Sequence, residues 1–184
     1  VLQSFGVNHT KEMHLVIVRS DLRYFQHLHP TRDANGVWHA AFNPQFGGTY
    51  WLYADFVETN GTSHVIRFVR EYKKDSGEAG VVKDFGRAKR FYDYTVQLHD
   101  QVGHDGVQFR YEITDSDGAR VEPQEYLGAK GHSVLISSDG EYEHVHPTGD
   151  VFVAHEVHRP FYRVFTEFQL AGKVVTTAFD WQKE

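Results

Sequence analysis

The sequence predicts an all-β protein of two tandem immunoglobulin-like or cupredoxin-like β-sandwich domains that arose by internal duplication, the first lacking its leading strands. Three observations carry this. No segment keeps a 3.6-residue apolar period; short runs rich in β-branched and aromatic residues alternate instead, separated by Gly, Pro, Asn and Asp turns. One pattern occurs twice: Met13-His14-Leu15-Val16-Ile17-Val18-Arg19-Ser20-Asp21 with Phe25-Gln26-His27-Leu28-His29-Pro30, then Gly131-His132-Ser133-Val134-Leu135-Ile136-Ser137-Ser138-Asp139 with Tyr142-Glu143-His144-Val145-His146-Pro147. The second half offers about seven strands, the number typical of such sandwiches, whereas nothing ahead of the first histidine hairpin matches Tyr92 to Thr114. A sandwich short of its leading strands leaves an open sheet edge and an uncovered apolar face. Either strands ahead of the first hairpin have been lost, or a membrane-anchored or partner-protein context supplies the cover.

In chain order, Val1 to Thr10 is a lead-in without periodicity. Lys11 to Arg19 and Arg23 to His29 form the first histidine hairpin, ended by Pro30, which cannot donate to a ladder. Asp33-Ala34-Asn35-Gly36 turns the chain into a short strand, Val37 to Phe42. Thr49 to Val57, with Tyr50, Leu52, Ala54 and Phe56 on one face, turns at Asn60-Gly61 into Ser63 to Tyr72. Lys73 to Lys89 is polar and unpatterned, a linker, and places the domains at 1–86 and 87–184. Tyr92 to His99 and Val107 to Thr114 are strands that open the second domain. Gly131 to Ser137 and Glu141 to His146 then replay the hairpin, Val151 to Val157 replays the short strand, and Phe161 to Gln169 with Val174 to Trp181 replay the long pair.

With 40% hydrophobic and 15% aromatic residues among 184, the chain can pack a core, and 24% charged residues without low-complexity tracts argue against disorder. The net charge of −6 and the lack of a basic block exclude nucleic acid as the expected partner. The absence of cysteine excludes disulfides, thiolate zinc sites, iron–sulfur clusters and blue copper. No stretch is long and apolar enough for a membrane-spanning helix. The start at Val1 without a signal peptide reads as a processed form or an excised soluble region.

Thirteen histidines require a reason. Strand residues i and i+2 share a face, so His27 and His29 point the same way, as do His144 and His146. Pairing within each hairpin brings His14 to the first pair and His132 to the second. Imidazole suits zinc, copper, nickel and iron, and three imidazoles on a rigid hairpin are preorganised to bind at about 2.0–2.1 Å. The candidate ligands are therefore His14, His27 and His29, and His132, His144 and His146. The opposing reading makes these histidines architectural, within a structural or adhesive cell-surface module. A third reading, a zinc-dependent hydrolase, needs an open coordination position and a partner acid or base, and the sequence offers no clear one; no enzyme motif is present, and the protein is read as non-enzymatic. Met13, beside His14, faces the other way and is assigned to the core. Asp55 and Glu167 occupy matching positions and are expected as exposed strand carboxylates, with completing a site or orienting an imidazole as the functional alternative. His39, His64, His155 and His158 do not correspond between halves and are assigned to the surface or auxiliary roles; His9, His99 and His104 carry no pattern.

These segments, with Gly48-Thr49-Tyr50 through Ala54-Asp55-Phe56 and Tyr126-Leu127-Gly128-Ala129-Lys130-Gly131-His132, resemble a group of bacterial extracytoplasmic proteins with duplicated immunoglobulin-like domains, labelled heavy-metal-binding or copper-associated. The resemblance covers nearly the whole chain. It implies an exported β-sandwich protein that handles a copper ion or a related metal, zinc being second, for sequestration, delivery or sensing. Members of the group also carry strands ahead of the first histidine hairpin.

Overall fold

A computed structural model describes residues 4–74 and 80–183. The chain divides into two compact units, Val1–Val82 and Lys83–Glu184. Lys83 to Gly86, grouped with the first repeat on sequence, pack on the second unit: the Lys83 ammonium lies 4.6 Å from the Phe161 ring centre, and the Asp84 amide donates to the Asp180 carboxylate at 2.6 Å. Part of the expected linker, residues 75–79, and the first three residues of the lead-in lie outside the described residues. The described residues form strands and no helix, and hence no helix long and apolar enough to cross a membrane.

The first unit contains β1 (His14–Arg19), β2 (Phe25–Leu28), β3 (Thr31–Arg32), β4 (Trp38–His39), β5 (Gly48–Val57) and β6 (Ser63–Tyr72). Its main sheet is antiparallel in the order β2-β1-β5-β6, and β3 and β4 form a separate ribbon. The second unit contains β7 (Ala88–Phe91), β8 (Tyr94–Gly103), β9 (Gly106–Thr114), β10 (His132–Ser137), β11 (Tyr142–Val145), β12 (Pro147–Thr148), β13 (Val151–Ala154), β14 (Phe161–Leu170) and β15 (Lys173–Gln182). Here the same four-stranded sheet, β11-β10-β14-β15, is joined by a second, β12-β13-β9-β8-β7.

The registers demonstrate the duplication. His14 pairs with Asp55 across β1 and β5, as His132 pairs with Glu167 across β10 and β14. Val16 faces His27 on one side, as Val134 faces His144. The second unit is a two-sheet sandwich. Val96, Leu98, Val107, Phe109, Ile113 and Phe152 from one sheet pack on Leu135, Val164, Phe168, Phe179 and Trp181 from the other. A buried hydroxyl chain crosses this core, Tyr111 to Thr166 and Thr166 to Ser133, both at 2.7 Å. The first unit has no counterpart of β7, β8 or β9 among its described residues. Its corresponding face carries an open apolar groove of about 520 Å³, lined by Phe5, Met13, Leu15, Trp38, Phe56 and Phe68 among others. Among the described residues the first unit thus presents one four-stranded sheet and a ribbon where the second presents two sheets.

Two of the shortened strands and one unexpected strand each have a physical reason. The Val37 to Phe42 strand shrinks to Trp38–His39, because only β3 is there to pair with it, whereas its counterpart β13 also pairs with β9. Val151 to Val157 stops at Ala154. The next amides turn to carboxylates instead: His155 and Glu156 donate to Glu143, and His158 to Glu141. Strand β7 was not expected; its Lys89 and Arg90 lack an apolar pattern, and it forms by edge pairing with β8.

Candidate metal centres

Each histidine cluster is assembled by one sheet and the turn in front of it. In the first unit, Asn8-His9-Thr10-Lys11 closes a tight turn with reciprocal backbone bonds, Asn8 amide to Lys11 carbonyl at 2.8 Å and Lys11 amide to Asn8 carbonyl at 3.1 Å. His9 and Thr10 hold φ of 45° and 68°, the signature of a type I′ turn. In the second unit, Tyr126-Leu127-Gly128-Ala129 does the same, at 2.8 and 3.2 Å, with φ of 53° and 79° at its centre. The carbonyl that opens each turn also receives the Nε2–H of the histidine six residues on: His14 to Asn8 at 3.0 Å, His132 to Tyr126 at 2.9 Å. A carbonyl can only accept, so the proton of each neutral ring sits on Nε2 and the Nδ1 lone pair turns the other way. This is the outer-shell fixing of tautomer that metal-ligating histidines commonly show.

The hairpins bring the remaining ligands to that lone pair. His27 and His29, on one face of β2 and its extension, lie with ring centres 5.2 and 5.0 Å from His14 and 4.7 Å from each other. His144 and His146 lie 6.0 and 4.6 Å from His132 and 4.4 Å apart. In each group the three candidate donor nitrogens fall within 4.8 Å of one another. A tetrahedral ion with bonds of about 2.0–2.1 Å needs them about 3.4 Å apart, a change that side-chain rotation supplies. His14 and His132 are buried, as are Nε2 of His29, His144 and His146 and Nδ1 of His132. Two three-histidine groups that could hold a metal ion are thus present, with all six expected ligands in them.

The electrostatics differ in detail. His14 Nδ1 and His27 Nε2 are 3.0 Å apart; since Nδ1 of His14 is the acceptor, His27 donates from Nε2. Burial, reinforced by the charge of His14 and opposed by Asp55, pulls the His27 pKa down to about 3, so the ring is neutral and metal-competent at ordinary pH. In the second unit, burial pushes Glu167 up to about 7, against the charge of His132 and a hydrogen bond from Thr176. Glu167 is 7% exposed and Asp55 is half-buried. The expectation of exposed strand carboxylates is therefore corrected: both stand in register opposite the lone histidine, close enough to bias the cluster without joining its donor set.

A protein-family model described as a domain of unknown function, DUF8832, matches residues 2–74 and 89–184. The chain belongs to this family. No curated protein and no solved structure gives a significant match. The match spans both repeats and leaves out 75–88, the region of the expected linker.

Met13 lies on the opposite face from His14, 8% exposed against Ala54 and Phe56, which agrees with its assignment to the core. His39, His64, His155 and His158 have partners of their own outside the two clusters. His39 contacts Asp33 at 3.0 Å, His64 contacts Glu58 at 2.5 Å and His158 contacts Glu156 at 2.8 Å. His155 Nδ1 lies 2.5 Å from the Asp105 carbonyl. Sequence reasoning missed the Asn8 and Tyr126 carbonyls. The shared six-residue spacing to His14 and His132 was the available signal, hidden because Asn8-His9-Thr10-Lys11 lacks the Gly that marks such turns.

Proposed function

We propose that the protein binds one metal ion at each three-histidine cluster, copper first and zinc second, in an extracytoplasmic setting. It would sequester, deliver or sense the ion rather than transform a substrate. The observation that carries this is the repeated outer-shell bond: in both units the lone histidine is locked by a turn carbonyl so that Nδ1 faces the His-x-His pair. Two architectural histidines would not need their tautomer fixed toward two others twice. An imidazole-only donor set suits Cu(II) and Zn(II), with Cu(II) bound more tightly in the general divalent order. Asp55 and Glu167 add anionic character beside a dication, and a fourth position remains for water or a transfer partner. Without thiolate, electron transfer of the blue-copper type is not the role. The resemblance to exported heavy-metal-binding proteins points the same way.

The direct contact between His14 and His27 favours a second reading for the first unit, in which the imidazoles satisfy one another and serve architecture. Metal stoichiometry separates the two. Apo protein equilibrated with limiting Cu(II) or Zn(II) and desalted should retain two equivalents by elemental analysis. H27A/H29A and H144A/H146A should each retain one, with unchanged far-UV circular dichroism. Retention that ignores both double variants would leave the histidines as architecture.

A further inference from the structure

Strands β2 and β11, which carry the His-x-His pairs, are both four residues long and each ends its sheet, held by one ladder, to β1 and to β10. Segments with few anchoring contacts open ahead of the rest of a structure. On β11 further anchors are present. Adjacent strand residues face opposite ways, so Glu143 and Val145 lie on the face away from His144. Val145, between the two histidines, is buried in the core of the second unit. Each oxygen of Glu143 accepts a backbone amide from the segment that follows β13: His155 to Oε1 at 2.7 Å and Glu156 to Oε2 at 3.1 Å. Glu141, just ahead of β11, accepts the His158 amide at 3.2 Å and the Tyr162 hydroxyl. That hydroxyl in turn accepts the His158 and Arg159 amides at 3.0 Å each. Val157, in the middle of this segment, is buried in the same core. Strand β11 is thus held on one side by β10 and on the other, through its carboxylates, by residues 155–159.

The first unit spends the matching residues differently. Gln26 faces Ile17 as Glu143 faces Leu135, and Tyr24 stands where Glu141 stands. These two bond each other along their own strand, the Tyr24 hydroxyl donating to Gln26 Oε1 at 2.9 Å. Tyr50, the counterpart of Tyr162, gives its hydroxyl to the Phe46 carbonyl at 3.0 Å. Leu28, the counterpart of Val145, is half-buried. A carboxylate offers two acceptor oxygens and a primary amide one, and bonds to a charged acceptor are the stronger kind. Gln26 is therefore no substitute for the double tie that Glu143 makes.

We infer that Glu143 is a positioning residue of the second metal centre, and that the two clusters divide the work: the first exchanges its ion readily, the second retains it. The inference rests on the metal-binding reading. An ion held by three imidazoles leaves when the His-x-His strand swings away from the lone histidine. In the second unit that motion pulls Glu143 off two amides and Val145 out of the core; in the first it displaces a half-buried Leu28. A site is as firm as the shell that supports its ligands, so the difference falls on the rate of release.

The experiment is stopped-flow release of Zn(II) from the doubly loaded chain into a chromogenic chelator, in such excess that the rates no longer depend on it. Wild type should release two equivalents in two phases about tenfold or more apart, the lower end of what a lost supporting partner costs. H27A/H29A should lack the fast phase and H144A/H146A the slow one. E143A should speed the slow phase by about tenfold, and E143Q, which keeps one acceptor oxygen, by less; both should leave the fast phase as it is. Val96, buried in β8 of the opposite sheet, supplies the control: Val96→Ala lowers the stability of the same unit by opening a cavity and should leave the slow phase unchanged. A wild type that does not retain two ions overturns the metal reading and this inference with it. Two ions that leave at one rate, a slow phase that belongs to the first cluster, or one indifferent to E143A overturns this inference alone. So does a slow phase that Val96→Ala speeds as much as E143A.

Discussion

In the second unit, the sheet that carries the histidines has its other face covered by five strands; in the first, the same face holds a two-stranded ribbon and an open groove. Yet both units close the same turn, lock the same tautomer and gather three imidazoles within the same limit. The second sheet is therefore not what builds the cluster. Two neighbouring strands, their hairpin and one type I′ turn suffice, and the sandwich serves stability. The difference between the units lies in the packing behind the cluster, and three perturbations exploit it.

The largest effect is expected one residue before His132. A Cβ on Gly131 would stand 2.9 Å from the Phe152 ring and 3.0 Å from the Phe168 ring, both buried between the two sheets. Neither ring can retreat without disturbing the sandwich. The first unit has Met13 at this position, a full side chain accommodated in the space beside Ala54 and Phe56. Gly131→Ala should destabilise the second unit by about 1–3 kcal/mol through overpacking and leave the first unchanged. Hydrogen exchange in urea, read separately for β10 and β14 and for β1 and β5, checks this. Equal loss in both units would mean that the packing behind the two clusters does not distinguish them.

Acid should then move the metal-free units in opposite directions. His27 titrates near 3 when folded and near 6.5 when unfolded. Between those values the unfolded chain holds a proton that the folded unit refuses, so the first unit loses stability as pH falls from about 6.5 toward 3. Glu167 titrates near 7 when folded and near 4.5 when unfolded. Between those values the folded unit holds a proton that the unfolded chain lacks, so this group stabilises the second unit as pH falls from about 7 to 4.5. Urea midpoints for each unit at pH 7 and pH 5 should diverge, the first falling relative to the second. H27Q should remove the fall and E167Q the gain. Parallel movement of both midpoints would refute the assigned burial of these groups.

The strands and both triplets were legible because they rest on period-two alternation and a repeated His-x-His, which need no tertiary information. Long pairs such as Ser63–Tyr72 emerged with their full span. What was hidden depends on partners distant in sequence. Asp55 and Glu167 look solvent-facing until the register sets them opposite His14 and His132. Strand β7 has no apolar pattern because it is half-covered at a sheet edge. The turn at Asn8 has His9 and Thr10 at its centre in place of the usual Gly, Asn or Asp, and its strain is invisible in a one-dimensional pattern.

That strain supplies the smallest and most local test of the equivalence of the two turns. Thr10 is β-branched and held at φ 68°, a region such residues avoid; its counterpart Gly128 takes φ 79° at no steric cost. The strained residue is worth about 1–3 kcal/mol of unfavourable backbone energy, offset in part by the greater freedom that Gly has when unfolded, about 0.5–1 kcal/mol. Thr10→Gly should therefore stabilise the first unit by about 0–2.5 kcal/mol. Because the Asn8 carbonyl keeps its place, metal retention should not change. The reciprocal Gly128→Thr should cost the second unit a similar amount, and the Tyr126 carbonyl would then hold His132 less firmly, weakening affinity at that cluster by the about 10–100-fold typical of outer-shell losses. Isothermal titration of the two variants decides the matter. An affinity loss confined to the second cluster, with stability shifts of opposite sign, would show that each turn sets its own histidine; unchanged affinity in Gly128→Thr would show that the hairpin alone positions the ring.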